Sequence, residues 1–241
     1  SPSGGPPAGR VHHSAILDGV NQMVVFGGND GITNLNDTWR LTNADGTASP
    51  AWISVAPFGG PPAARLSHRA VSDAASDRMI VFGGALGNLL PCANDVWVLT
   101  NASAVSGTPA WTQLSSSGGP PPARIGGSAV YDAANNLLII YGGNCASPLF
   151  SDVWVLSNAN GLGGTPVWTQ LSPSGTPAGR DSHTADYDAA NNRMIVFGGR
   201  IPGSFSDEVW VLSNANGVGT PAWTQLSPTG TPPSARQNPA A

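Results

Sequence analysis

Short runs of apolar residues that end on two glycines recur along the chain. They read MVVFGG at 23–28, MIVFGG at 79–84, LIIYGG at 138–143 and MIVFGG at 194–199. An apolar run of this length bounded by turn residues predicts a strand that is covered on both faces. We expect the glycines to end each strand, where a side chain would collide with a tightly turned backbone.

The remainder of the chain repeats with the same period and predicts no long helix. No window with helical periodicity is free of glycine or proline, so we expect an all-β fold without a helix of more than two turns. Arginines recur every 55 to 59 residues, and a pair of tryptophans follows each of the first four; this pattern uses all eight tryptophans. The repeated positions are Arg10, Arg65, Arg124, Arg180 and Arg236, with Trp39/Trp52, Trp97/Trp111, Trp154/Trp168 and Trp210/Trp223.

Each repeat is predicted to contain four strands, here named a to d. In the fourth repeat they are 183–187, 193–199, 208–213 and 222–227, and Asp/Asn-rich or Gly/Pro-rich segments separate them. Four-stranded sheets that are buried on both faces and repeated in series are typical of β-propeller blades. The prediction is therefore one propeller domain or segment over 1–241, with blades at about 10–56, 65–115, 124–172 and 180–227. A fifth repeat is predicted to start at 236–241.

The Gly-Gly pair after an apolar strand, followed by a spaced tryptophan pair on the next two strands, resembles the kelch repeat. The resemblance covers about residues 10–235 and implies a β-propeller of four-stranded antiparallel kelch-type blades. Kelch rings usually have more than four blades. We therefore expect this chain to be a segment of a longer array or a unit completed by other chains, with a closed four-blade ring as the alternative. The absence of lysine and the Ala/Gly/Asn/Thr-rich composition favour a bacterial member.

Charge and hydropathy exclude several classes of function. The net charge is −4 and there is no basic run, which argues against nucleic acid or an anionic membrane as the partner. The longest apolar runs are far shorter than the roughly 20 residues of a membrane-spanning helix, so no membrane span is predicted.

The chemically suggestive residues fall mainly on repeated positions, which indicates a structural role. Each repeated arginine is expected to bond a carboxylate or a carbonyl and so tie adjacent blades, with Asp37, Asp95, Asp152 and the neighbourhood of Asp207 as the repeated acids. His13, His68 and His183 share one register and could bind a metal ion, but kelch-like units often place histidine there. The sole glutamate, Glu208, has no obvious catalytic partner, and no G-x-S-x-G motif is present. We expect no enzyme activity, metal or cofactor.

The connections between strands b and c differ from one repeat to the next, unlike the other connections. They are 29–36, 85–94, 144–151 and 200–206, and they are expected to lie at the same end of the blades as the d–a connections. Positions free of the shared structural demand are candidates for function. The predicted binding residues are Asp30, Leu89, Leu90, Phe150, Arg200, Ile201 and Phe205. The alternative is that their apolar side chains fold inward over the blade ends.

The only two cysteines, Cys92 and Cys145, are predicted to lie in the second and third b–c loops. Loops of this length can bring two Cα atoms within disulfide range, and a bond would indicate an oxidising compartment. Two small buried thiols are the alternative.

Together these features favour a non-enzymatic binding or scaffold module that recognises a protein or glycan through the b–c loops. The predicted location is extracellular or periplasmic. One alternative is a structural protein whose blades stack between chains as a homo-oligomer. The other is an enzyme with its site at the mouth of a central channel.

Overall fold

The fold is all-β, as predicted. The computed structural model describes residues 2–238, in which the regular structure consists of strands and one 3-10 turn at Ala74–Ser76. Four four-stranded antiparallel sheets follow one another along the chain, each a meander in chain order. In the part of the chain that is described, no helix is long and apolar enough to cross a membrane.

The strands of the four blades are as follows. The first blade has β1 (Ser14–Leu17), β2 (Met23–Asn29), β3 (Asn34–Thr42) and β4 (Ala51–Val55), and the second has β5 (Arg69–Asp73), β6 (Arg78–Ala85), β7 (Cys92–Thr100) and β8 (Ala110–Gln113). The third has β9 (Ser128–Asp132), β10 (Leu137–Tyr141), β11 (Val153–Ser157) and β12 (Val167–Leu171). The fourth has β13 (Thr184–Asp188) and β14 (Arg193–Phe197), then the hairpin β15 (Arg200–Ile201) and β16 (Ser204–Phe205), then β17 (Val209–Ser213) and β18 (Ala222–Leu226).

The chain divides into two compact units, residues 1–115 and 116–241. Each unit holds two blades, and each is described by itself below. Of the predicted start of a fifth repeat at 236–241, residues 239–241 lie outside the described residues.

The turns between strands a and b form because their Asp and Asn residues suit them. Asp132 accepts hydrogen bonds from the backbone and side-chain nitrogens of Asn135 at 3.2 and 2.8 Å. The next residue, Asn136, has φ +54°, a left-handed conformation that asparagine tolerates better than most residues. These local bonds reverse the chain and align strand a with strand b.

The core of each unit lies between its two blades. In the first unit Val24 and Phe26 of strand b pack against Met79, Val81 and other residues of the second blade. The second unit repeats this arrangement with Ile139 and Tyr141 against Met194, Val196, Leu212 and Trp223. The middle residues of β6 and β10 are buried on both faces, whereas β14 alternates and leaves Ile195 40% exposed.

The expectation that the glycine pair ends strand b is wrong for the first two blades. Strands β2 and β6 run through Gly27-Gly28 and Gly83-Gly84, and a β-bulge shifts the register after Phe26 and Phe82. Gly28 has φ +95°, and a Cβ built there would lie 2.8 Å from the Cβ of His13 and the carbonyl of Val11. Glycine therefore permits a bulge that would strain other residues. As a result, Cys92 is the first residue of β7 and not a loop residue.

Candidate functional site

The repeated arginines form one constellation in each repeat. The guanidinium of Arg124 is 2% exposed; it donates to both carboxylate oxygens of Asp152 at 2.7 and 2.9 Å and to the carbonyl of Gly142 at 2.9 Å. The indole of Trp154 donates to the same carboxylate at 2.7 Å. Arg10 with Asp37 and Arg65 with Asp95 repeat this arrangement. These residues hold the start of a repeat to its own strand c.

Two expectations about this constellation are corrected by the structure. Each arginine bonds a carboxylate and a carbonyl as expected, but both lie in its own repeat and not in the adjacent blade. In the fourth repeat the acid is Glu208, which accepts from Arg180 and Trp210 at 2.7 and 3.0 Å, whereas Asp207 is exposed. Glu208 lies two residues before Trp210, as Asp152 lies two residues before Trp154, so it occupies the position of the repeated aspartates.

The inner histidines tie neighbouring blades within each unit. His68 of the second blade is 2% exposed, and its Nε2 lies 2.7 Å from the hydroxyl of Ser14 in the first blade. In the second unit His183 lies 3.0 Å from the hydroxyl of Ser128. Burial, reinforced by the nearby positive charge of Arg65, lowers the pKa of His68 to about 3. The neutral imidazole is thus a packing group, and residues 2–238 hold no cluster of three metal-ligating side chains.

The b–c and d–a connections meet at one end of every blade. The residue after each repeated arginine forms an antiparallel bridge with the residue after the glycine pair. These bridges are Val11–Asn29, Leu66–Ala85, Ile125–Asn144 and Asp181–Arg200. We call this end the loop face.

The first unit carries a groove of about 310 Å³ on its loop face. It is lined by Val11, His12, Asn29, Gly31, Ile32, Leu66 and Asn88. Ile32 is 86% exposed and Val11 is 56% exposed, and the adjacent Leu89 and Leu90 are 64% and 54% exposed. The side-chain amide of Asn34 donates to the carbonyl of Gly87 at 2.8 Å and so joins the two loops. The loops therefore present aliphatic side chains to solvent while a hydrogen bond holds the two loops together.

Asp30 holds the first of these two loops in a turn. Its Oδ1 accepts from the backbone nitrogens of Ile32 and Thr33 at 2.9 and 2.8 Å. The same two hydrogen bonds lower the pKa of the exposed carboxyl group. The turn leaves the side chain of Ile32, which the sequence analysis did not single out, at the most exposed point of the groove. The sequence signal that could have identified Ile32 is its position as an isolated aliphatic residue in a polar loop.

The second unit has a different, charged loop face. Arg200 and Phe205 pair across the β15–β16 hairpin, and Ile201 lies beside them. Arg200 forms an ion pair with Asp181, which is buried and also accepts from the side-chain amide of Asn144. Asp181 raises the pKa of the Arg200 guanidinium. Sequence reasoning missed Asp181, although it stands where the other repeats have Val11, Leu66 and Ile125.

Phe150 differs from its expected role as an exposed contact residue. It is half-buried, and the guanidinium carbon of Arg124 lies 4.5 Å above its ring. This cation–π contact makes Phe150 part of the arginine constellation of the third blade.

Both cysteines are disulfide-bonded. Cys92 begins β7, and Cys145 follows Asn144 in the third b–c loop. The structure thus contains a disulfide.

Repeated four-stranded sheets, each with an arginine–carboxylate–indole constellation, define a blade-repeat protein. The family model for the KLHDC2/KLHL20/DRC7 Kelch-repeats domain matches residues 1–157 and again residues 76–241. The chain therefore belongs to the kelch-repeat family, and this membership implies a protein-binding or scaffold module.

Relatives are about a third identical to this chain over the segments that match. The Leucine-zipper-like transcriptional regulator 1 homolog of Drosophila melanogaster is 31% identical over 80% of this chain. The Rab9 effector protein with kelch motifs of Xenopus laevis is 32% identical over 61%, and the human Multiple epidermal growth factor-like domains protein 8 is 31% identical over 83%. The matches span 18%, 38% and 7% of those proteins. These relatives come from animals and give no support to a bacterial origin.

Proposed function

We propose that this chain is a non-enzymatic protein-binding module whose partner docks on the loop face of the first unit. The observation that carries the proposal is the groove lined by the strongly exposed Val11 and Ile32, together with the exposed Leu89 and Leu90 that follow its lining residue Asn88 in the chain. Exposed apolar residues grouped at loop tips are typical of contact surfaces. The Asp30 turn and the Asn34 bridge support these loops, so less conformational entropy is lost when a partner binds.

A protein partner is favoured over a glycan. Sugars stack on exposed aromatic rings, and all eight tryptophans are buried or half-buried within the sheets. The large apolar residues that line the groove, Val11, Ile32 and Leu66, are aliphatic, and such side chains suit the apolar side chains of a peptide or protein.

Selection of a displayed peptide library on the immobilised protein tests the proposal. The affinity of the selected peptides is then measured for Ile32→Ser, for Leu89→Ser and for the control Val105→Ser. Val105 is 68% exposed but lies in the c–d loop of the second blade. Loss of a buried aliphatic contact costs roughly 1.5–3 kcal/mol. The two loop-face variants should therefore weaken binding about tenfold or more.

The control should bind as the wild type does. Peptides that lose affinity for Val105→Ser, or that ignore both loop-face substitutions, would contradict the loop-face assignment. Glycan-array binding that survives Ile32→Ser would contradict the choice of partner.

We also propose an extracellular or periplasmic location, because disulfides persist in oxidising compartments. Intact mass spectrometry of the unreduced protein tests this proposal, together with the predicted pairing of Cys92 with Cys145. The expected result is one cross-linked peptide pair and no alkylation under denaturing conditions without reductant. Two alkylatable thiols in protein recovered from its native compartment would refute it.

A further inference from the structure

Two stretches of the chain match the acceptor motif for N-linked glycosylation, in which Ser or Thr stands two residues after Asn and the residue between them is not Pro. They are Asn36-Asp37-Thr38 in the first blade and Asn101-Ala102-Ser103 in the second. A chain rich in Asn, Ser and Thr produces such matches by chance, so the motif alone identifies no site. The structure separates the two matches, because it shows whether each residue already has a use in the blade.

In the second match both the asparagine and the serine have such a use. The side-chain amide of Asn101 donates to the carbonyl of Thr108 at 3.2 Å. The equivalent asparagines of the other repeats, Asn43, Asn158 and Asn214, make the same kind of bond to a carbonyl of their own c–d loop. The hydroxyl of Ser103, which is 2% exposed, donates to Asp77 at 2.7 Å. The blade by itself therefore explains this Asn and this Ser.

Asn36 of the first match has no such role. It lies at the β-bulge of β3, between the paired residues Leu35 and Thr38, where strand c extends beyond the last residue that pairs with strand d. Its side chain is exposed and forms no hydrogen bond within residues 2–238. The other repeats carry Asn94, Ser151 and Asp207 at this position, so the blade does not require asparagine. A group attached to the Asn36 amide would displace no hydrogen-bond partner.

Thr38 is a residue for which the blade has no need. The other repeats carry valine at this position, namely Val96, Val153 and Val209. The side chain of Thr38 is 1% exposed, and its Oγ1 is buried without a hydrogen-bond partner in the described part of the chain. A buried hydroxyl without a partner destabilises a fold, and valine has nearly the same shape without that cost. Packing alone therefore favours valine, and the hydroxyl of Thr38 needs another explanation.

We propose that Asn36 is an N-glycosylation site and that the hydroxyl of Thr38 serves this modification. The motif requires a hydroxyl two residues after the asparagine, which valine lacks. Because Thr38 is enclosed in the folded blade, the transfer takes place before the blade folds. This proposal rests on the proposed extracellular location, since the transfer belongs to the secretory pathway. It does not depend on the groove.

The co-substrate is an oligosaccharide carried on a lipid diphosphate. A bond forms between Nδ2 of Asn36 and C1 of the first sugar, and the bond between C1 and the diphosphate oxygen breaks. The lipid diphosphate leaves with the electron pair of that bond, and Nδ2 gives up one proton. The product is a bulky, hydrated substituent of the kind that suits an exposed position.

The test is secretion of the protein from cultured eukaryotic cells. Intact mass is measured before and after enzymatic removal of N-linked glycans, which leaves aspartate at a modified asparagine and so allows each site to be mapped. We expect one glycan, at Asn36, and no modification of Asn101 in the folded protein. Asn36→Gln should abolish the mass shift and still be secreted, because the side chain is exposed and without a partner.

Thr38→Val and Thr38→Ser form a matched pair that separates the modification from stability. Thr38→Val should lose the glycan, yet its urea midpoint should equal or exceed that of the wild type when both are made without glycosylation in bacteria. Thr38→Ser should keep the glycan, although the loss of a buried methyl group should lower its midpoint. Glycosylation and stability should thus change in opposite directions.

Secreted protein without a glycan at Asn36 would overturn the proposal, and so would modification of Asn101 to the same extent. A midpoint of Thr38→Val below that of the wild type would show that the blade does use the hydroxyl, which would also overturn it. The groove is tested with peptides on unglycosylated protein, and the location by the thiols of protein from its native compartment. Each of these proposals can therefore fail on its own measurement.

Discussion

Asp152→Asn tests whether the repeated arginine constellation stabilises the blades. The substitution keeps the size of the side chain but removes its charge. Arg124, which is 2% exposed, loses its counterion and one of its two carboxylate hydrogen bonds. Removal of one partner from a buried ion pair costs roughly 3–5 kcal/mol, because the remaining charge stays desolvated. The bonds from Arg124 to the Gly142 and Pro122 carbonyls persist, so we expect a loss of about 3 kcal/mol.

The assay is urea unfolding followed by tryptophan fluorescence. A loss of this size should lower the midpoint by about 1 M or more. Asp207→Asn is the control, because this exposed neighbour of Glu208 should change stability by under about 0.5 kcal/mol.

The pH dependence of the same variant gives a second readout. Burial by itself would raise the pKa of Asp152, but the hydrogen bonds and charge of Arg124 outweigh it and lower the pKa. The stability that ionisation contributes is therefore complete above the unfolded pKa of about 3.9 and is lost as the pH falls through the folded value. The difference between wild type and Asp152→Asn should shrink below that pH. A cost near that of Asp207→Asn at pH 7 would refute the reasoning.

Two further substitutions test the blade interior. Gly28→Ala should destabilise the protein by about 2–4 kcal/mol, because its Cβ collides with His13 and Val11. The control Gly31→Ala has a similar φ of +96° but lies in open space, so it should cost only about 1 kcal/mol. Equal urea midpoints for the two variants would contradict this difference. The imidazole of His68 should stay neutral at pH 5 by NMR, and because its pKa is lowered to about 3, the free energy of unfolding should fall as the pH drops from about 6.5 toward 3. His68→Gln should reduce that slope, and an imidazolium signal at pH 5 would contradict the assigned burial.

The repeat and its strands could be predicted because their signals are local. The apolar run of β14 and the Asp-Ala-Ala-Asn-Asn turn before it lie within a few residues of the contacts that they form. The continuation of β2 through Gly27 and Gly28 could not be predicted in this way. It depends on Asn34 and Leu35 of strand β3, which pair with Asn29 and Gly28 beyond the bulge.

The arginine partners show the same limit. The residue types indicated an arginine–carboxylate bond, but one sequence cannot decide whether the acid belongs to the same blade or to its neighbour. The acid of the fourth repeat, by contrast, could have been identified as Glu208, because it lies two residues before Trp210, as Asp152 does before Trp154. The predicted strand c began one residue too early, at 208, because β17 is Val209–Ser213.

The candidate site was predicted only as a region. Divergence between repeats indicated the b–c loops, where Leu89 and Leu90 are indeed exposed. Divergence between repeats could not identify Ile32 as the most exposed of these residues, because the exposure of its side chain follows from the Asp30 turn. It also overrated Phe150, because an aromatic residue in a variable loop gives no sign that a guanidinium covers it.

The groove lies where the repeats differ most from one another. The b–c loops differ between repeats because no shared contact constrains them, so the groove beside Ile32 has no counterpart of the same sequence elsewhere in the chain. The start of strand d varies little, because glycines such as Gly59 lie against the carbonyl of a strand-d tryptophan such as Trp111 and leave no room for other side chains. A partner at the groove would therefore be recognised by side chains that the other repeats do not carry.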